Sequence, residues 1–290
     1  MGKSIFGADF EESKRIINFK KLSNTLKNDT SMNRSLPRRL FAFFIAGTLL
    51  FSAMLGLLFA MPFGLRSAAE TGSVRHLSSE AVIMIGNIGQ AMLIPNIIVF
   101  VIMLLSACFS ILIPKRDISR QIFSGFPFLG SMIYTATVPF IYITGMLAFN
   151  RFGISGLLLQ VLVGFLLIAL IFYQGYLRTK AQLYGEANNR DSFYTKLILG
   201  ITIGTSFILL ILSQTVFKGL TSDFNAKWYS YLLGLGVTVT MVVFAYSFRK
   251  MSDFCLFQGF YMMKYSKQYK DYLQIADENW YRGGRKKEQK

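Results

Sequence analysis

Six long stretches of this 290-residue chain contain no Asp, Glu, Lys, Arg or His: Leu40 to Leu65, Ala81 to Pro114, Gln121 to Asn150, Phe152 to Leu177, Leu197 to Phe217 and Trp228 to Phe248. Each reaches or exceeds the roughly 20 residues needed to cross a hydrocarbon core of about 30 Å. Soluble core helices are rarely so long without a charge, which leaves little room for an independent soluble domain. The missing intramembrane charge also argues against a proton-coupled carrier or an intramembrane protease, since both need ionisable groups inside the bilayer.

Other absences narrow the chemistry. Two cysteines, Cys108 and Cys255, cannot build a disulfide framework and read as packing residues. The single histidine, His76 in "SVRHLSSE", has no second histidine or cysteine at ligand spacing, so no metal site is expected. There is no Gly-x-Ser-x-Gly elbow, Walker loop or His-Glu-x-x-His pair. The sequence therefore predicts no enzyme, no cofactor and no catalytic residue, and any ATPase activity would come from a partner.

What is present is basic charge, unevenly placed. Lys and Arg total 31 against 15 Asp and Glu, a net charge of +16. Of the basic residues, 26 fall in the N-terminal segment, second loop, fourth loop and C-terminal tail, and five in the first, third and fifth loops. Basic flanks are retained on the cytoplasmic side, so both termini are expected inside a plasma membrane. Anionic lipid accounts for the charge without nucleic acid.

The expected fold class is all-α: a polytopic bundle of about six transmembrane helices with an amphipathic helix at each cytoplasmic terminus. Residues 1–39 read as a basic amphipathic segment, with Ile16, Phe19, Leu22 and Leu26 at helical spacing. Residues 40–248 form the six-span domain, whose first span is expected to remain as an anchor, and 249–290 an aromatic and basic tail. In that tail Phe254, Phe257, Tyr261, Tyr265, Tyr269 and Tyr272 recur on one helical face. That face suits either the inner headgroup layer or a protein surface, whether the chain's own loops or a partner.

Ala81 to Pro114 is 34 residues, about 51 Å if fully helical, too long for one upright span. A break is expected at Pro95, and a kink at Pro139. Gly200 and Gly204, one turn apart in "LGITIGTS", permit close helix approach within the chain or in a homo-oligomer. Asn96, Ser106, Ser110, Gln160, Gln174 and Gln214 are expected to bond between helices or to face a wet cavity. Arg116 and Arg120 in the second loop are candidate docking residues for a partner.

The order of a basic N-terminal region, a first span, an external loop, a second span, "KRDISRQIFSGFPFLGSMIYTATVPF", a tight hairpin and "GYLRTKAQLYGEANNRDSFYTK" resembles the Yip-domain family over roughly residues 38–217. The sixth span and the basic tail depart from that five-span pattern. The resemblance implies a nonenzymatic membrane scaffold or adaptor with no catalytic residues to carry over. The elbow, six spans and basic second loop also resemble some ABC-type permeases. On that reading Asp117 to Ser124 would couple to a soluble ATPase and Ala81 to Leu93 would be a half-inserted gate.

Overall fold

The computed structural model describes residues 4–17, 41, 44–45, 48, 51–72, 77–112, 118–186, 191–213, 215–216, 228–275 and 280. Among them every regular element is helical. Phe19, Leu22, Leu26, His76, Arg116 and Gln214, which the sequence singles out, lie outside the described residues.

A short helix, α1 (Phe10–Ser13), runs into a 3-10 turn (Lys14–Ile16). It starts where it does because Asp9 and Glu12 form a capping box: the Glu12 amide donates to Asp9 Oδ1 at 2.7 Å and the Asp9 amide to Glu12 Oε2 at 3.0 Å. Ile17 is already extended, so no helix runs unbroken through Ile16 from the α1 side.

Helix α2 (Phe51–Glu70) contains a π-helical stretch, Leu55–Ala60, just before Pro62. The widening fits the proline, which has no N–H to return to the preceding turn. Helices α3 (Ser79–Ala91) and α4 (Leu93–Leu112) meet at Met92 with a bend of 51°. The break thus falls three residues before the expected Pro95. Pro95 instead occupies the first turn of α4, where a missing N–H costs little.

One helical stretch, Ile118–Tyr184, divides at Gly153, whose φ of 66° and ψ of −172° are open essentially to glycine alone. The parts are α5 (118–152) and α6 (154–184). The backbone dihedrals stay helical at Pro139, where the sequence predicts a kink. Helix α7 (Asp191–Leu212) follows, then α8 (Trp228–Gly234) and α9 (Gly236–Met251), separated only by Leu235. Helix α9 does not end at the expected boundary of the sixth span. It passes through a π-helical turn (Ser252–Gln258) into α10 (Gly259–Lys264), because the residues at both junctions keep helical dihedrals. A break at Tyr265 precedes α11 (Ser266–Tyr272).

Glycines show how the central helices are ordered. A Cβ on Gly236 would sit 2.5 Å from Thr144, one on Gly130 3.4 Å from Phe248, and one on Gly259 3.0 Å from the Phe123 backbone. As residue number rises along α9 and α10 it falls along α5, so these run antiparallel. Along α6 it rises, since Gly164 abuts Met241 and Gly175 abuts Arg249. Helices α5 and α6 are therefore an antiparallel hairpin, with α9 packed along both.

Among the described residues three helical stretches are long and apolar enough to cross a membrane: α2, 125–184, which is the α5–α6 hairpin, and 192–212. The bent pair α3 and α4 makes a fourth if it is one span. The class defined by this architecture is an all-helical protein suited to membrane insertion.

Candidate functional site: a tyrosine groove closed by the N-terminal segment

Beyond the break-free length of α6 and α9, one end of the bundle carries a separate hydrophobic cluster. Ile5, Ala8 and Ile17 pack there with Leu183, Tyr261, Met262, Tyr269 and Trp280. Residues 4–17 lie as a strap across the end of α6 and across α10 and α11.

The strap is held mainly through its main chain. Tyr184 Oη donates to Ser4 O at 2.6 Å, and Tyr261 Oη donates to Ile5 O while accepting from the Ala8 amide at 3.2 Å. The Ala8 carbonyl accepts from Tyr265 Oη at 2.9 Å and from Lys264 Nζ at 3.2 Å. Ser13 Oγ shares a hydrogen bond with Tyr269 Oη. Phe10 meets the rings of Tyr265, Tyr269 and Tyr272 edge-on, at centroid distances of 5.9, 4.9 and 6.3 Å. Each buried bond of this kind contributes on the order of 1 kcal/mol net, and each would cost more to leave unmade.

Gly185 explains the strap's far anchor. With φ of 69° it ends α6 in a left-handed cap, closed by the Glu186 amide on Ala181 O at 2.9 Å. Without a Cβ in the way, Arg15 reaches the helix end and Nη1 donates to Leu183 O at 3.3 Å. A cation at a helix C-terminus is favourably placed.

Burial raises the Tyr261 and Tyr269 hydroxyls above their ordinary titration range; hydrogen bonding to Ala8 and Ser13 respectively pulls the other way. Both remain neutral at physiological pH. Burial likewise raises Cys255.

A second polar set ties the bundle just before this module. Arg249, itself buried, donates from Nη1 to Gln174 Oε1 at 3.1 Å, and Gln174 Nε2 donates to Thr195 Oγ1 at 3.1 Å, joining α9, α6 and α7. Asp253 stands near Arg249 and Arg178. Burial pushes its carboxyl upward, opposed by those two cations and by a hydrogen bond with Thr179.

The other sequence candidates are scattered. Asn96 is fully buried, with Nδ2 donating to Leu58 O at 3.1 Å and Oδ1 accepting from Tyr134 Oη at 2.8 Å. Leu58 is the residue whose carbonyl an ordinary α-helix would have paired with Pro62, so Asn96 supplies the donor that proline lacks. Gln160 Nε2 donates to Gly234 O at 2.9 Å, at the break between α8 and α9. Ser106 bonds back to Ile102 O within its own helix.

Gly200 and Gly204 meet nothing within 4 Å of a built Cβ among the described residues. Arg120 is exposed. Of the six tail aromatics, Tyr261 and Tyr269 are fully buried, Phe254, Phe257 and Tyr265 half-buried and Tyr272 exposed. The face the sequence assigns either to lipid or to a protein surface is, at Tyr261 and Tyr269, covered by the chain itself. Sequence reasoning missed Tyr184, Arg15 and the strap; the Asp9-Phe-Glu-Glu12 helix-start pattern was the available signal. Among the described residues no group of three or more His, Cys, Asp or Glu is placed to hold a metal.

The chain matches no family model, no curated protein and no solved structure.

Proposed function

We propose that the protein is an integral membrane scaffold or accessory protein with six spans, both termini on the cytoplasmic side of a plasma membrane, acting through lipid and protein partners and without a catalytic site of its own. The observation that carries this reading is the module in which residues 4–17 are held by Tyr184, Tyr261 and Tyr265. A packed module at the end of α6 and of the α9–α10 run is suited to presenting a surface to another protein. The Lys and Arg bias supports the orientation, and the Yip-like order of elements supports the class.

A second reading, the permease subunit of an ABC-type transporter driven by a separate ATPase, draws on the 51° bend between α3 and α4, which a half-inserted helix shares with a broken span. Purification of the tagged protein in mild detergent separates the two. A membrane-protein partner or a homo-oligomer, with no ATPase, is the expected result. A stoichiometric ATPase that is lost when Arg116 and Arg120 are changed to Glu would replace the scaffold by the permease. A cysteine placed in the first loop should label from outside and one in the tail should not; the reverse would overturn the orientation.

A further inference from the structure

We propose that the face made by Tyr184, Tyr261, Tyr265 and Tyr269 is a peptide-binding groove, and that residues 4–17 are its resident, displaceable ligand. The ligand class is a short segment with a Gly-Ala pair between two aromatic residues, here Phe6-Gly7-Ala8-Asp9-Phe10. The inference starts from the same module as the scaffold reading but concerns only whether the strap exchanges, so a strap that never exchanges would leave that reading standing.

Three features distinguish a bound peptide from an ordinary packed element. First, the groove reads main chain: side-chain hydroxyls and an ammonium engage the carbonyls of Ser4, Ile5 and Ala8 and the amide of Ala8. A main-chain grip accepts an incoming segment at any register its side chains allow. Second, side-chain selectivity is concentrated at two points. Ala8 is completely buried, which leaves no room for a larger residue, and Phe10 fills an aromatic pocket roofed by Lys14, whose Nζ stands 4.5 Å from the Phe10 and Tyr272 ring centroids.

Third, the segment cannot hold this shape unaided. Its α-helix is four residues long and its 3-10 turn three, far below the roughly 12 residues at which isolated helices become even marginal in water. The strap's structure is therefore conferred by docking, as for a disordered segment that folds on its partner. Phe6 contributes at the rim only, 42% exposed while touching Phe257 and Phe260.

The test keeps the strap present while freeing it. A protease site is inserted between Asn28 and Asp29, the purified protein is cleaved, and a fluorescent peptide of residues 4–17 is added. The cleaved strap is expected to remain bound through gel filtration at micromolar protein and to be exchanged by excess labelled peptide. A Phe10→Ala peptide should exchange at least tenfold less effectively, and a Tyr261→Phe protein should retain the peptide about tenfold less well. The proposal is overturned if the labelled peptide binds no better than a scrambled one. It is equally overturned if the uncleaved protein takes up the peptide as readily as the cleaved one, because binding would then lie elsewhere.

Discussion

Helix α7 and the run from α9 through α10 are both rich in large apolar residues, yet they meet opposite fates. In α7, Leu199, Ile203, Phe207 and Ile211 are exposed, and only 11% of its most apolar stretch is buried. In α10 and α11, Tyr261, Met262 and Tyr269 are fully covered. The exposed α7 residues carry no hydrogen-bonding group, so lipid would suffice to cover them and their exposure by itself calls for no protein partner. Tyrosines carry a hydroxyl that must be paired once dry, and the strap supplies the partners: the Ile5 carbonyl for Tyr261 and the Ser13 hydroxyl for Tyr269. A polar tip on an aromatic ring, rather than apolarity as such, separates a face that needs protein from one that needs only lipid.

Substitutions at matched glycines sharpen this contrast most. Gly259→Val would drive a side chain into the Phe123 backbone, where a Cβ already stands at 3.0 Å. Overpacking of this kind costs about 1–3 kcal/mol, and the upper end is expected because backbone cannot step aside. The readout is the thermal midpoint of the detergent-solubilised protein. Asn96→Leu should cost about 1–3 kcal/mol by the same measurement, since Leu58 O and Tyr134 Oη would both lose their partner.

Tyr261→Phe removes two main-chain bonds but keeps the ring, and about 1–2 kcal/mol should be lost locally. Hydrogen exchange should speed up in residues 4–17 and remain unchanged in α5 and α6. Alkaline pH should imitate this variant. With Tyr261 and Tyr269 raised, the neutral form is favoured in the docked state, so docking is at full strength below the ordinary tyrosine value near 10 and is lost as pH rises above it. Exchange measured from pH 8 to pH 11 would show it; strap protection that did not fall would contradict the assignment.

The smallest effect belongs to α7. Gly200→Val should change stability by less than about 0.5 kcal/mol, with the oligomeric state unaltered by light scattering. A dissociated oligomer would instead identify that face as an interface and erase the contrast with α10.

The sequence already shows the long apolar runs, because burying each backbone polar group inside a helix across a bilayer demands about 20 suitable residues in a row. It also shows that Ala81 to Pro114 must break, though proline's tolerance in a first turn moved the break to Met92. Asn96 is conspicuous as a lone amide, but its partner, Leu58 O, is freed by a proline in another helix. The groove was half legible. Aromatic spacing marked Tyr261 and Tyr269, whereas periodicity reports only on neighbours a few residues away and carries no trace of a partner 256 positions distant.

That separation sets a timetable for synthesis. Ala8 and Tyr261 lie 253 residues apart, so at roughly 5–20 residues per second the strap leaves the ribosome about 13–50 s before the first of its C-terminal clasps. For that interval Ile5, Ala8 and Phe10 are without their C-terminal partners, and docking cannot begin until translation has passed α10. A docked strap thus reports that translation has passed α10, and nascent chains arrested before Tyr261 should display residues 4–17 to proteases that the chain carrying α10 and α11 excludes.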